Sequence, residues 1–345
     1  MRERNQTDRI LVPWRRLAIS IVAAAFVTTA CSGQAATQSA TADATSRPSV
    51  APTTAADPPS TNSLPPLPGG RLVYAALMGE GGSLVTTNPD GSDTTSLFPG
   101  HNPPRWAPDG RRISIVSDNS DGLVFVGLVD PDGSNYVQFD SPDPTLNLGC
   151  FAWSPHGSRL ACEGWDDTDL SRNGIYTVRS SDGGDLVRLT TARDGVHDIP
   201  TDYSPDGEQI VFTRQRLADE SDTTLMIVTV DGSGARALSD QRLGPGRWSP
   251  DGKTILSDLG EEGERLLLVP VDGGEIRTIE IISDSLRSAF YGSWSPDGEW
   301  IVFSGRASKS VDLYVVRTDG TNLHQVTETP MGQWEEAADW TAGAP

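Results

Sequence analysis

The chain has 345 residues, with 27 Lys and Arg against 47 Asp and Glu, for a formal net charge of −20. That balance excludes a nucleic-acid binder, because phosphate contacts need clustered cations. The length allows two domains or one large all-β domain, and the 35 Gly and 25 Pro exceed ordinary usage.

In chain order, the first element is an address. Arg2, Arg4, Arg9, Arg15 and Arg16 form a basic region, and the apolar run from Leu17 to Thr28 follows. A run of about twelve residues has the length of a signal-peptide core and is too short to span a bilayer comfortably. Residues 1–30 therefore read as a signal peptide. Small residues Thr28, Thr29 and Ala30 precede Cys31, an arrangement that resembles the bacterial lipobox. The resemblance implies a lipoprotein with Cys31 acylated, palmitate included; the alternative is an ordinary secreted chain cleaved nearby. An acidic body is repelled by an anionic leaflet, so attachment to the outer side of the cell membrane needs covalent lipid, and several acyl chains hold firmly where one does not. Residues 31–67 are rich in Ala, Thr, Ser and Pro and lack the periodic apolar positions a core requires. They read as a disordered linker on the order of 35 Å from end to end.

Residues 68–345 carry an internal repeat. Trp106-Ala-Pro-Asp-Gly110 recurs as Trp153-Ser-Pro-His-Gly157, Tyr203-Ser-Pro-Asp-Gly207, Trp248-Ser-Pro-Asp-Gly252 and Trp294-Ser-Pro-Asp-Gly298, and Trp340 starts a sixth copy. The intervals of 47, 50, 45, 46 and 46 residues suit a four-stranded propeller blade. Alternating apolar triplets after each turn, such as Ile210-Val-Phe212 and Ile301-Val-Phe303, predict strands. The Asp-Gly pairs predict tight reversals, because Gly takes positive φ without a Cβ clash. Pro68-Gly-Gly-Arg-Leu-Val-Tyr74 aligns with Pro108-Asp-Gly-Arg-Arg-Ile-Ser114, so the domain begins just after an aromatic strand and ends just after supplying one. The two partial ends predict an all-β, six-bladed β-propeller of four-stranded antiparallel blades. It is closed by pairing of the N- and C-terminal strands, 335–340 with the strand from Arg71.

The aromatic-Ser-Pro-Asp-Gly unit followed by Ile-x-Phe resembles the WD40-like, or PD40, repeat of the TolB-type β-propeller. In the place of TolB's additional N-terminal α/β domain stands the linker. The recurring aromatics read as filling between blades, and the Asp-rich turns as hairpins rather than calcium loops, since the distal bidentate Glu is missing.

Cys150 and Cys162 are an even pair in an exported chain. If Pro155-His156-Gly157 is a three-residue loop, Ser154 faces Ser158 and the two cysteines face each other, which predicts a disulfide. A one-residue shift in register separates them and leaves free thiols.

No cofactor and no metal is expected. The four histidines, His101, His156, His197 and His324, are scattered, and His-Glu-x-x-His, Cys-x-x-Cys and Gly-x-Ser-x-Gly do not occur. By resemblance to other propellers, the aromatic strands line a central channel and the loops before them ring one mouth. Residues there vary from copy to copy: His101, Arg105, His197, Asp198, Asp202, Arg247, Arg287, Tyr291, Trp334, Glu335 and Asp339. Such a mixed rim suits a polar ligand. The expected function is a non-enzymatic, lipid-anchored extracytoplasmic propeller. It would bind a protein, peptide or envelope polymer at one face of the channel, and no nucleic acid. The alternative is a hydrolase or lyase acting on a glycan or peptide at the channel mouth.

Overall fold

A computed structural model describes residues 66–343, apart from 79–80, 100–102, 119–123, 140, 194, 260–264 and 308. The signal peptide, Cys31, nearly all of the linker, and His101 lie outside the described residues. Pro65–Pro345 forms one compact unit.

The described strands form six four-stranded antiparallel blades, the sixth and first being joined into one eight-stranded sheet by a parallel bridge between Val311 and Trp334. The first blade contains β1 (Arg71–Met78), β2 (Gly81–Thr87) and β3 (Thr95–Pro99). The second runs β4 (Arg105–Trp106), β5 (Ile113–Asp118), β6 (Val124–Val129) and β7 (Val137–Gln138). The third is β8 (Asn147–Trp153), β9 (Arg159–Trp165), β10 (Gly174–Arg179) and β11 (Val187–Arg188), with a 3-10 turn, Leu170–Arg172, between β9 and β10. The fourth is β12 (Val196–Tyr203), β13 (Gln209–Arg216), β14 (Asp219–Thr229) and β15 (Arg236–Ala237). The fifth is β16 (Arg247–Trp248), β17 (Thr254–Asp258), β18 (Leu266–Pro270) and β19 (Arg277–Thr278). The sixth is β20 (Ser288–Trp294), β21 (Trp300–Arg306), β22 (Val311–Arg317) and β23 (His324–Gln325). The last strand, β24 (Gln333–Thr341), returns to the first blade and pairs antiparallel with β1, Arg71 opposite Thr341 and Leu72 opposite Trp340. The innermost strands touch in the order β24, β4, β8, β12, β16, β20 and back to β24. That circle turns the unpaired edge of each inner strand inward, as a short edge protected within the ring.

The core is divided among the blade interfaces. Val73 and Leu84 of the first blade cluster with Trp106 and Ile113 of the second. Five comparable clusters join the remaining neighbours, the one between the sixth and first blades holding Trp300 and Trp340. The recurring aromatic is thus a wedge: Trp106, Tyr203, Trp248 and Trp340 are each 6% exposed. The hairpin turns support the same stacking. Gly207 has φ 76°, and a side chain there would meet Pro155 of the preceding blade's turn. The turn Asp caps itself, as when Asp206 Oδ1 accepts the Glu208 N–H at 3.0 Å.

A disulfide joins Cys150 and Cys162, through a register other than the three-residue loop. Trp153 pairs with Leu160 and Ala152 with Ala161, and a bulge at Phe151 then brings Cys150 opposite Cys162. Ser154 and Arg159 close the turn by a backbone bond, so the loop is one residue longer. The bulge absorbs the difference, as an extra unpaired residue on one strand does.

Candidate functional site

The residue just before each blade aromatic lies at the middle of the ring. In blade order these residues are Asp339, Arg105, Ala152, Asp202, Arg247 and Ser293. The order Asp, Arg, small residue occurs twice, and the bonding repeats with it. Asp339 Oδ2 accepts the backbone N–H of Trp106 at 2.8 Å. Asp202 Oδ2 accepts that of Trp248 at 2.9 Å. The indole N–H of Trp153 donates to the Arg105 carbonyl at 3.3 Å, and that of Trp294 to the Arg247 carbonyl at 3.1 Å. The propeller is a pseudo-two-fold ring of two three-blade halves.

Both aspartates are held by neighbouring-blade backbone rather than, among the described residues, by the arginines. The arginines are fixed by carbonyls. Arg247 Nη1 donates to Thr201 O at 2.6 Å, and Arg105 Nη1 donates to Pro104 O at 2.9 Å. Arg247 is only 7% exposed, yet its Nη2 has no partner, and neither has Nε of Arg105.

Enclosure shifts the acid–base properties of this ring. Burial, helped by the nearby Asp339 carboxyl, pushes Asp202 up to about 7 against the pull of the Trp248 N–H and Arg105. Burial raises Asp339 as well, opposed by Arg105 and the bond from Trp106. Burial lowers Arg105, with the two carboxyls opposing. Near neutral pH part of the ring's negative charge is therefore neutralised.

These four charged side chains line one cavity of about 310 Å³. It opens among the aromatic-Ser-Pro turns, where Pro155, Pro250 and Pro296 form a collar with the blade indoles. A larger groove of about 600 Å³ lies between the second and third blades. Its ionisable groups, Asp109, Arg112 and His156, sit on turns, and Arg112 already pairs with Asp130 at 2.9 Å. The smaller cavity has the greater convergence of charge and is the better site.

Of the residues singled out in the sequence, Arg105, Asp202, Arg247 and Asp339 converge there. The structure places the others elsewhere. His197 is buried, its Nδ1 hydrogen-bonded to Glu163 of the third blade. Asp198 holds Arg214 by two bonds, at 2.7 and 2.8 Å. Glu335 is buried in β24, where burial, opposed by a hydrogen bond with Thr327 and aided by Asp312, pushes it up to about 7, and its Oε2 has no hydrogen-bond partner. Trp334 is half-buried, and Arg287 is exposed on the loop leading to β20. Tyr291 takes φ 52° at a bulge and donates its backbone N–H to Asp258 Oδ2 at 3.0 Å. Sequence reasoning missed Glu163 and Arg214, which lie on second strands and are found only through cross-strand register. It also missed Ser293, whose position before the aromatic was a usable signal; its hydroxyl donates to Asp339 at 3.1 Å. Among the described residues no three His, Cys, Asp or Glu side chains group so as to hold a metal ion.

Residues 71–342 match the PD40 family, described as the TolB beta propeller domain. The chain belongs to that family. An uncharacterized protein of Agrobacterium fabrum is 27% identical to this PD40 propeller over 249 residues, covering 57% of the chain and 81% of the relative. An uncharacterized peptidase of Bacillus subtilis is 29% identical over 107 residues, 29% of the chain but 16% of the peptidase. The crystal structure of TolB from Acinetobacter baumannii superposes with a TM-score of 0.61 at 20% identity, over 79% of the chain and 66% of that TolB. The match to TolB thus stops short of two thirds of its length, and the match to the peptidase is a small fraction of it.

Proposed function

We propose that this PD40 propeller is a binding protein, anchored by lipid on Cys31 to the outer side of the cell membrane, that takes a protein, peptide or envelope polymer at one end of its channel. The observation that carries the reading is the convergence of Arg105, Asp202, Arg247 and Asp339 on one cavity. A concave site with a few oriented polar groups inside an apolar collar has the form of a ligand pocket. The favoured mouth is the one framed by the aromatic-Ser-Pro turns, because the cavity opens there. The exported, anchored setting rests on the basic region, apolar run and Cys31 of the sequence.

Photo-crosslinking in intact cells tests the reading. A crosslinking residue at Ala342, beside the cavity, should capture a specific partner, and one at Arg287 on the opposite loops should not. Equal capture from both faces, or none from either, would sink it. For the anchor, Cys31→Ser should move the chain from the membrane to the soluble fraction, and an unchanged distribution would refute lipidation.

A further inference from the structure

The channel holds cationic donors that the fold does not use. Arg247 Nη2 is buried without a partner, and so is Nε of Arg105. Leaving a buried charged donor unmet is costly, so such a group is a standing demand for an acceptor. The arginines lie three blades apart in a ring of six, so they approach the channel from opposite sides. The two carboxyls stabilise the Arg105 charge through space, but the hydrogen bonds they accept come from backbone N–H groups of the next blade and, for Asp339, from Ser293 as well. An anion entering the channel is therefore drawn by two guanidiniums whose free N–H groups are not taken by the ring's own acids.

The shape and lining narrow the anion. A guanidinium fork matches a carboxylate in plane and spacing. Around the charged centre the mouth is a collar of proline rings and indoles, which suits the apolar side chains of an extended chain. A volume of about 310 Å³ admits the end of a chain and no folded element.

We propose that the channel is a receptor for a peptide carboxylate. The C-terminal carboxylate of an extended, partly apolar tail enters between the aromatic-Ser-Pro turns and accepts hydrogen bonds from Arg247 Nη2 and Arg105 Nε. The proposal rests on the channel as the binding face and adds the chemistry of what is bound.

The test is calorimetric titration of the full chain with three peptides. These are N-acetyl-Leu-Ala-Ala with a free carboxylate, the same peptide amidated, and N-acetyl-Leu-Glu-Ala amidated, whose only carboxylate is on a side chain. The free acid should bind, with at least about tenfold loss on amidation, the scale of a charge-assisted bond. Arg247→Lys and Arg105→Gln should each remove that preference, with unchanged circular dichroism showing the fold intact. Binding of the acid and its amide with equal affinity, abolished by blocking the cavity mouth with a bulky Ala342→Trp, would keep the channel reading and overturn the carboxylate. Preference for the Glu-containing amide would overturn the chain-end assignment. Saturable binding of a uronic-acid oligomer with no peptide bound would replace the peptide by a glycan. No saturable binding of any probe up to about 1 mM would overturn the proposal.

Discussion

The two halves of the ring share a plan and differ in what they do with buried acids. Asp198 in β12 lies opposite Arg214 in β13 and is neutralised by it. The corresponding acid in the other half, Glu335 in β24, lies opposite Ala76 in β1. Where one half has Glu163 paired with His197, the other has Ser304 and Trp334 at the matching registers. The same backbone therefore carries an acid bound to a guanidinium on one side and, on the other, an acid that has a Thr327 hydrogen bond but no cation opposite it and whose affinity for protons is raised by burial. The difference is made on the neighbouring strand: a guanidinium across the ladder offsets the desolvation that otherwise dominates.

The comparison is broken most severely by removing the cation. Arg214→Ala leaves the buried Asp198 carboxylate alone and should cost about 3 kcal/mol or more in denaturant unfolding near pH 7. A loss below about 1 kcal/mol would mean that water already serves Asp198.

Next in size is the acid without a cation opposite it. Glu335 has a folded pKa of about 7, above its unfolded value, so its contribution is fully present below about pH 4.5 and is lost as pH rises toward 7. Asp202, also raised to about 7, acts in the same direction. Glu335→Gln should therefore flatten this part of the pH profile and stabilise the protein at pH 8 by up to about 3 kcal/mol. Unfolding curves at pH 5 and pH 8 that shift by the same amount in the variant and the parent would remove the asymmetry.

A third difference is covalent. The bulge in β8 is followed by the Cys150–Cys162 bond, with a sequence separation of 12, whereas the bulge in β20 is tied by Tyr291 to Asp258. Replacing both cysteines by Ser should lower stability by about 2–3 kcal/mol, the range for a short closed loop; an unchanged denaturation midpoint would count against a structural role.

The smallest expected effect tests the symmetry itself. Ala76→Arg supplies Glu335 with the partner Asp198 already has. It should lower the Glu335 pKa by about one unit, read by carboxyl NMR titration. No movement would show that matching register is insufficient for pairing.

Much of the architecture was legible because it is dictated locally. The aromatic-Ser-Pro-Asp-Gly unit specifies a strand end, a turn and a strand start, and its offset at the two ends specified the sharing of the first blade by β1 and β24. The cysteines were placed opposite each other by an assumed three-residue loop, yet the true register includes a bulge at Phe151. Bulges have no reliable local signature. In the candidate site, Arg105, Asp202, Arg247 and Asp339 were visible as variable positions beside the aromatics. Their separation from Asp198 and Glu335 was not, because a bulge before Asp202 in β12 and another before Asp339 in β24 break the alternation along each strand.

The order of turns and strands, the number of repeats and the means of joining the ends are written in the sequence, since each follows from contacts within a few residues of the turn. The partners of the buried acids, the two-fold repetition of Asp, Arg and small residue around the channel, and the mouth onto which the charges open belong to the tertiary structure alone. Those features depend on which side chains from separate blades meet in an enclosed space, where desolvation makes the presence or absence of one partner decisive.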